Sequence, residues 1–483
     1  MSTVSVEDVH NGRGVVGTPE GVLDDHRDFF ASLPALYSTS GIDLFANELR
    51  FLDGRGHLHI EETAQYIAKY DEANSVVAAA VAKKFGAESN EAKAAIVAER
   101  LAPYFNEIFL KLTEHVLGAP IGVEPHSWAY HAPKDVEDLQ KEIESIILSG
   151  EFMEYFAKSP ETKNMLAIVA TRLVYSHKPE EMREIVKELE QLAIASYQIG
   201  LPVLLFGCSE YYTSVKDGGD KNNLTLEPSM RLGFPVTESE RARYQEMTNA
   251  SWDAQVALHN SIPGIQTYKR PKEVIVRLIM GAGSEFILSG SERFEGDAFI
   301  ASDNLYKHVA AIARACELAH LQVTDDDIRL AVTYLYILHE LGHVFFEISD
   351  QTFEELDTDL SMAVVALRRG AQFGFSQELL IAALVGEYAD QASVAATKHT
   401  VADGYRKSGV RLVNALVRAG LVTWSDDRIH IHSDGARVDE LVKVFVPQHR
   451  DVHLQNPADL LPLMNEVLDH DSQTLVGRIT RQT

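Results

Sequence analysis

Apolar residues recur at helical spacing through most of positions 26–200. The segment "AESNEAKAAIVAERLAPYFNEIFLKLTEHVLG" (87–118) places its aliphatic and aromatic residues along one face of a 3.6-residue period. "PEEMREIVKELEQLAIASYQIG" (179–200) opens on Pro179 and closes on Gly200, the start and stop signals of a helix. Residues 1–25 are polar and glycine-rich, and the pattern predicts disorder there. Turn-forming residues crowd positions 214–236, which read as loop. A helical pattern follows over 238–260, and the apolar runs "EVIVRLIMG" and "SEFILSG" then read as short strands of a small sheet.

From about 303 the helical period returns, in "SDNLYKHVAAIARACELAH" and "TDDDIRLAVTYLYILHELGHVFFE". Three aspartates after Thr324 give the second segment a favourable N-terminus, because carboxylates complement the helix dipole and a threonine caps the free amides. Two more helices are predicted over 357–370 and 376–398. "GVRLVNALVRAGLVTWSDDRIHIHSD" reads as helix, turn and two-stranded ribbon. The division this implies is a disordered 1–25, a helical N-terminal lobe 26–200, a mixed loop and strand region 201–300, a helical region 301–400 and a helix-and-ribbon region 401–483. The fold class predicted is mainly α (α+β).

Composition adds an exclusion. With 46% hydrophobic and 24% charged residues the chain is ordinary for a globular protein, but its formal net charge is −27. Nucleic acids and anionic membranes require clustered positive charge, so neither is the expected partner. The ribbon near the C-terminus has the outline of a winged helix, yet Asp426 and Asp427 stand where a DNA-binding wing needs Lys or Arg. Cys208 and Cys316 both lie in apolar surroundings and are expected as reduced, buried thiols. "MSTVSVEDVHNGRG" carries no apolar signal region, and no apolar run reaches the ~18–20 residues of a membrane helix. A cytoplasmic protein is expected.

The chemistry concentrates in "HELGH". On a helix, residues four apart share a face with Cβ atoms about 5–6 Å apart, so His339 and His343 can reach one ion. Zinc takes imidazole nitrogen in tetrahedral geometry. Glu340 is turned about 100° away and suits a general base acting on a water beside the ion. The surrounding positions, Leu335, Ile337, Leu338, Leu341, Val344 and Phe345, are apolar. Two histidines and a glutamate in so apolar a helix are costly unless paired or metal-bound. A third ligand can come from Glu347, from the Glu354–Glu355 pair or from Glu387. Glu355 is favoured because Asp359, one turn on, can accept the N–H of a ligating histidine. Two histidines and a carboxylate suit zinc and also Fe(II). The alternating pairs His57/His59 and His430/His432 read as exposed strand histidines.

These residues resemble the gluzincin metallopeptidases, and within them the dipeptidyl peptidase III family. "EELDTD" is similar to that family's second motif, with Glu355 in the ligand place and Glu354 and Asp359 as carboxylates behind it. "ASDNLYKHV" resembles a segment before the metal helix, where Asn304 matches a residue that holds peptide backbone. His399 is the nearest match to a histidine that stabilises the transition state, and an ungapped alignment places Tyr405 there instead. The resemblance spans about 300–440. It implies a multi-lobed, zincin-like metalloprotein with a helical metal-binding core and a small β-sheet. It implies zinc as cofactor, a peptide or small-molecule substrate, and hydrolysis by metal-activated water with Glu340 as base. The chain departs from the family in its plain "HELGH", where the family usually has one more residue. It departs also in the short interval between its two motifs, and a non-peptidase metalloenzyme acting on a small metabolite is the alternative.

Overall fold

A computed structural model describes residues 26–44, 60–118, 134–156, 179–212, 224–261, 272–283, 291–293, 298–302, 308–345, 351–393, 401–454 and 466–480, with 167, 171–172 and 270. The architecture is mainly helical with one small sheet and a two-stranded ribbon. The helices are α1 (Arg27–Ala31), α2 (Leu33–Thr39), α3 (Ile60–Phe85), α4 (Asn90–Gly118), α5 (Lys134–Ile147), α6 (Gly150–Phe156) and α7 (Pro179–Gln198). Strands β1 (Val203–Tyr212) and β2 (Leu224–Pro235) follow, then α8 (Glu238–Asn260), β3 (Lys272–Ala282), β4 (Ser291–Arg293) and β5 (Ala298–Ser302). The C-terminal part holds α9 (Val309–Leu318), α10 (Asp325–His343), α11 (Gln351–Arg369), α12 (Gln377–Ser393) and α13 (Val401–Arg418). The ribbon strands β6 (Val422–Ser425) and β7 (Arg428–Ile431) precede α14 (Gly435–Leu454) and α15 (His470–Thr480).

The sheet has the order β1-β2-β3-β5-β4. Its neighbours are antiparallel except β3 and β5, which run parallel. The near-continuous apolar run of β3 suits a strand covered on both faces. Val274, Val276, Leu278 and Met280 enter a core built with α2, α3 and α4, while Ile275 joins a second core built by the C-terminal helices. Arg277 bridges to that second side through a 2.7 Å ion pair with Glu240 on α8. Helix α8 is capped as its sequence dictates: Thr237 accepts from the Glu240 amide and the Glu240 carboxylate accepts from the Thr237 amide.

Two sequence expectations are corrected. Residues 224–235, read as loop, form β2. Pro228 is tolerated because, among the described residues, β2 pairs with β3 only from Met230 onward, so the proline lies where β1 is its described partner strand. The register shifts at Leu232/Gly233, which accommodates the second turn-like signal. The helix expected from about 303 begins at Val309, because His308 adopts a left-handed conformation with φ 60° and stops helical pairing there. Residues 1–25, "SEFILSG" (284–290) and the His57/His59 pair lie outside the described residues. Helices α14 and α15 were not anticipated.

The second core surrounds α12, which is buried along almost its whole length. A helix apolar on all sides belongs in the interior. It packs against α9 and α13, and α10 packs against α8 and α11. Among the described residues, no helix is long and apolar enough to cross a membrane. Cys316 is a free, buried thiol.

Candidate metal centre

Helix α10 carries the histidine pair at its C-terminal end. Its N-terminus is fixed by a capping box in which Thr324 accepts from the Asp327 amide and the Asp327 carboxylate accepts from the Thr324 amide. Its apolar stripe, Ile328, Val332, Leu335, Leu338 and Leu341, is buried. That burial sets the rotation of the helix, and the rotation sets where the two imidazoles point. Gly342 lies between them. A Cβ there would sit 2.9 Å from the Thr358 side chain, so the absence of one lets α10 and α11 approach closely.

The close approach brings Glu355 to the histidines. His339 Nε2 and His343 Nε2 are 3.0 Å apart. Glu355 Oε2 lies 3.3 Å from His339 Nε2, and Oε1 lies 3.9 Å from His343 Nε2. All three ligand atoms fall within 4.8 Å of one another. Two ligand atoms bonded tetrahedrally to zinc at about 2.0–2.1 Å are about 3.3 Å apart, so the donor set and its spacing fit the ion. Glu355 Oε2 is buried and makes no hydrogen bond in spite of its nearness to His339. Such an orphaned buried carboxylate oxygen suits a metal ligand.

Behind the triad, His339 Nδ1 donates to Asp359 Oδ1 at 2.8 Å. Tyr388 on α12 donates to the same oxygen, and Ser408 on α13 donates to Asp359 Oδ2. Burial pushes the His339 imidazole down, but Asp359 and Glu355 outweigh it and hold the ring well above its ordinary value in the metal-free protein. Burial raises the Tyr388 hydroxyl, and the adjacent Asp359 and Glu387 carboxylates raise it further. Near Asp359, Tyr336 hydrogen-bonds Glu387. Burial lifts the Glu387 carboxyl above the usual range, opposed by His308 and reinforced by Asp359. His308 itself pairs with Asp390 at 2.8 Å.

Carboxyl groups crowd this region. Glu340, Glu355, Asp357, Asp359 and Glu387 are all buried on α10, α11 and α12, and no lysine or arginine of these helices is buried. A dication would offset part of that negative charge.

Of the residues singled out from sequence, His339, His343, Glu355 and Asp359 are brought together, and Glu340 is buried on the same helix. Glu387 is buried nearby but is not part of the converging triad. Tyr405 lies near enough to Tyr336 to disfavour its ionisation. Glu354 falls in the first turn of α11 with its side chain outside the described residues, as do Asn304, Glu347 and His399 entirely. His430 and His432 lie on or beside the C-terminal ribbon, where His430 hydrogen-bonds Ser425. Sequence reading missed Tyr388, Ser408, Tyr336 and His308. Tyr336 lies three residues before His339 but carries no motif signal of its own, and Ser408 lies 49 positions from its partner.

No family model matches the sequence, and no curated protein matches it. The fold has solved relatives. Dipeptidyl peptidase III from Caldithrix abyssi superposes with a TM-score of 0.58 at 10% identity, over 81% of this chain and 93% of that one. Dipeptidyl-peptidase III from Corallococcus sp. strain EGB gives 0.51 at 11% identity, over 93% of this chain and 95% of that one. The chain therefore has a dipeptidyl peptidase III-like fold.

Proposed function

We propose that this protein is a zinc-dependent hydrolase that cleaves a peptide or small amide bond. The observation that carries the reading is the convergence of His339, His343 and Glu355 within 4.8 Å, with the two histidines half-buried and the carboxylate buried. The fold shared with two dipeptidyl peptidases III supports it. Bound there, zinc supplies Lewis acidity that polarises a carbonyl and lowers the pKa of a coordinated water toward ~7.

The protein's own groups divide the remaining work. His339, His343 and Glu355 would hold the ion. Glu340, one residue past the first ligand, takes the proton of the attacking water and passes it to the leaving amine. Tyr405, or His399, donates a hydrogen bond to the developing oxyanion. Glu354 and Asp359 back the ligands, and Asn304 holds substrate backbone. The net charge of −27 favours a peptide or small-molecule substrate over nucleic acid or an anionic membrane. The free Cys316 thiol supports a reducing, cytoplasmic setting.

A second reading rests on the short interval between His343 and Glu355 in this sequence. In it the same triad holds zinc or Fe(II) and acts on a small metabolite. The deciding experiment is a peptide and amide panel run with zinc-loaded wild type, chelated wild type and Glu340→Gln. Cleavage that disappears on chelation and falls about 10²–10⁴-fold in Glu340→Gln supports the proposal. A zinc-loaded protein inert on the whole panel but active in a metabolite screen would favour the second reading.

A further inference from the structure

Asp359 is more heavily held than a side chain that merely backs a ligand needs to be. It is almost fully buried on α11 and receives three donors. His339 Nδ1 and the Tyr388 hydroxyl reach one oxygen, and the Ser408 hydroxyl reaches the other. The donors come from three helices, and Tyr388 and Ser408 are separated from Asp359 by 29 and 49 positions. Both hydroxyl residues are buried.

The chain is built to allow this. Gly409 follows Ser408, and a Cβ at Gly409 would lie 2.6 Å from the Ala392 amide nitrogen and 2.7 Å from the Tyr388 carbonyl oxygen. Those atoms are backbone and cannot yield. Only a residue without a side chain lets α13 lie this close on α12, and that approach carries Ser408 to Asp359.

The consequence is orientational. A carboxylate that already accepts two hydroxyl protons is fixed in rotation and is an acceptor only. The imidazole facing it must then present its Nδ1–H to the carboxylate, which leaves Nε2 as the atom turned toward His343 and Glu355. We propose that Tyr388 and Ser408 are positioning residues: by clamping Asp359 they hold His339 in the tautomer and ring orientation that binds metal. The proposal rests on the metal-centre reading above and deepens it. It makes α12 and α13 parts of the site, although neither supplies a ligand.

The test measures zinc affinity by competition with a chelator for folded wild type, Tyr388→Phe, Ser408→Ala and the double variant. Ser361→Ala serves as control, because Ser361 is equally buried on α11 but donates to the Thr358 carbonyl at 2.9 Å. Melting of each metal-free protein is recorded alongside, and the absorption spectrum of the cobalt-substituted forms reports ligand geometry. Each hydroxyl deletion is expected to weaken zinc binding about tenfold and the pair up to about a hundredfold, with an altered cobalt spectrum. Ser361→Ala is expected to match wild type in both. Zinc affinities within twofold of wild type in the folded double variant would overturn the proposal, as would an equal loss in Ser361→Ala. Absence of zinc binding in wild type would overturn the metal centre itself, and the proposal with it.

Discussion

Replacing Glu355 by Gln keeps the side chain's size and a carbonyl oxygen but removes the charge that faces the two histidines. Metal binding to the native state alone adds about 2.7 kcal/mol of stability when free zinc is a hundred times Kd. Unfolding entropy is about 2.1 cal/mol/K per residue, so 483 residues melting together give about 1 kcal/mol/K. Zinc at that level therefore raises the wild-type midpoint by roughly 3 °C, and by about twice that when the helical half around α12 melts as its own unit. Loss of a carboxylate behind a ligand costs 10–100-fold in metal affinity, so loss of the ligand itself costs at least about a hundredfold. Glu355→Gln then retains about 0.4 kcal/mol at the same zinc concentration, a shift of under about half a degree. Glu387→Gln leaves the triad intact and keeps the wild-type shift. Calorimetric scans with buffered zinc and with chelator measure all three proteins. A full zinc shift in Glu355→Gln, or its loss in Glu387→Gln alone, refutes the assignment of the third ligand.

Two further outcomes are expected. Burial, with the nearby Glu107 charge and against the Asn106 hydrogen bond, raises the Asp71 carboxyl from 3.8 to about 6. Its raised folded pKa means that its stabilising contribution is complete below about pH 4 and is lost as pH rises through about 6. The shift corresponds to about 3 kcal/mol at most, and roughly 1–2 after allowance for its partial exposure. Asp71→Asn is therefore expected to stabilise the protein by that amount in urea melts at pH 8 and to give no gain near pH 4. An equal gain at both would contradict the burial argument. Gly342→Ala drives a Cβ to 2.9 Å from the Thr358 side chain, and overpacking of this kind costs about 1–3 kcal/mol, offset by up to about 1 from helix propensity. The same variant is expected to bind zinc more weakly, because α10 is pushed off the helix that carries Glu355. Unchanged affinity in chelator competition would show that the approach is not required.

How much was legible follows from distance along the chain. The candidate ligands lie within one helix and the start of the next, so an i, i+4 pair and a nearby acidic turn were enough to nominate His339, His343 and Glu355 and the Asp359 behind them. The paired hydroxyls of Tyr388 and Ser408 depend on how α12 and α13 pack. Nothing local marks that packing except Gly409, whose close approach has no meaning until the neighbouring backbone is known. Strand β2 was misread because Pro228 and Gly233 signal turns locally, and pairing to β1 at Pro228 and to both β1 and β3 at Gly233 overrides them. His308 hid in a helical pattern that its own left-handed backbone interrupts. The strong period of α10 and its acidic cap were readable because burial and capping act within a few residues.

His339, His343 and Glu355 are proposed to hold one zinc ion. Anomalous diffraction at the zinc edge, on crystals of the full chain grown with zinc, tests it directly. One peak is expected about 2.0–2.1 Å from each histidine nitrogen and about 2.0–2.2 Å from the Glu355 carboxylate, with one coordination position left to solvent. No peak at this triad, or a peak ligated by Glu387 in place of Glu355, would contradict it.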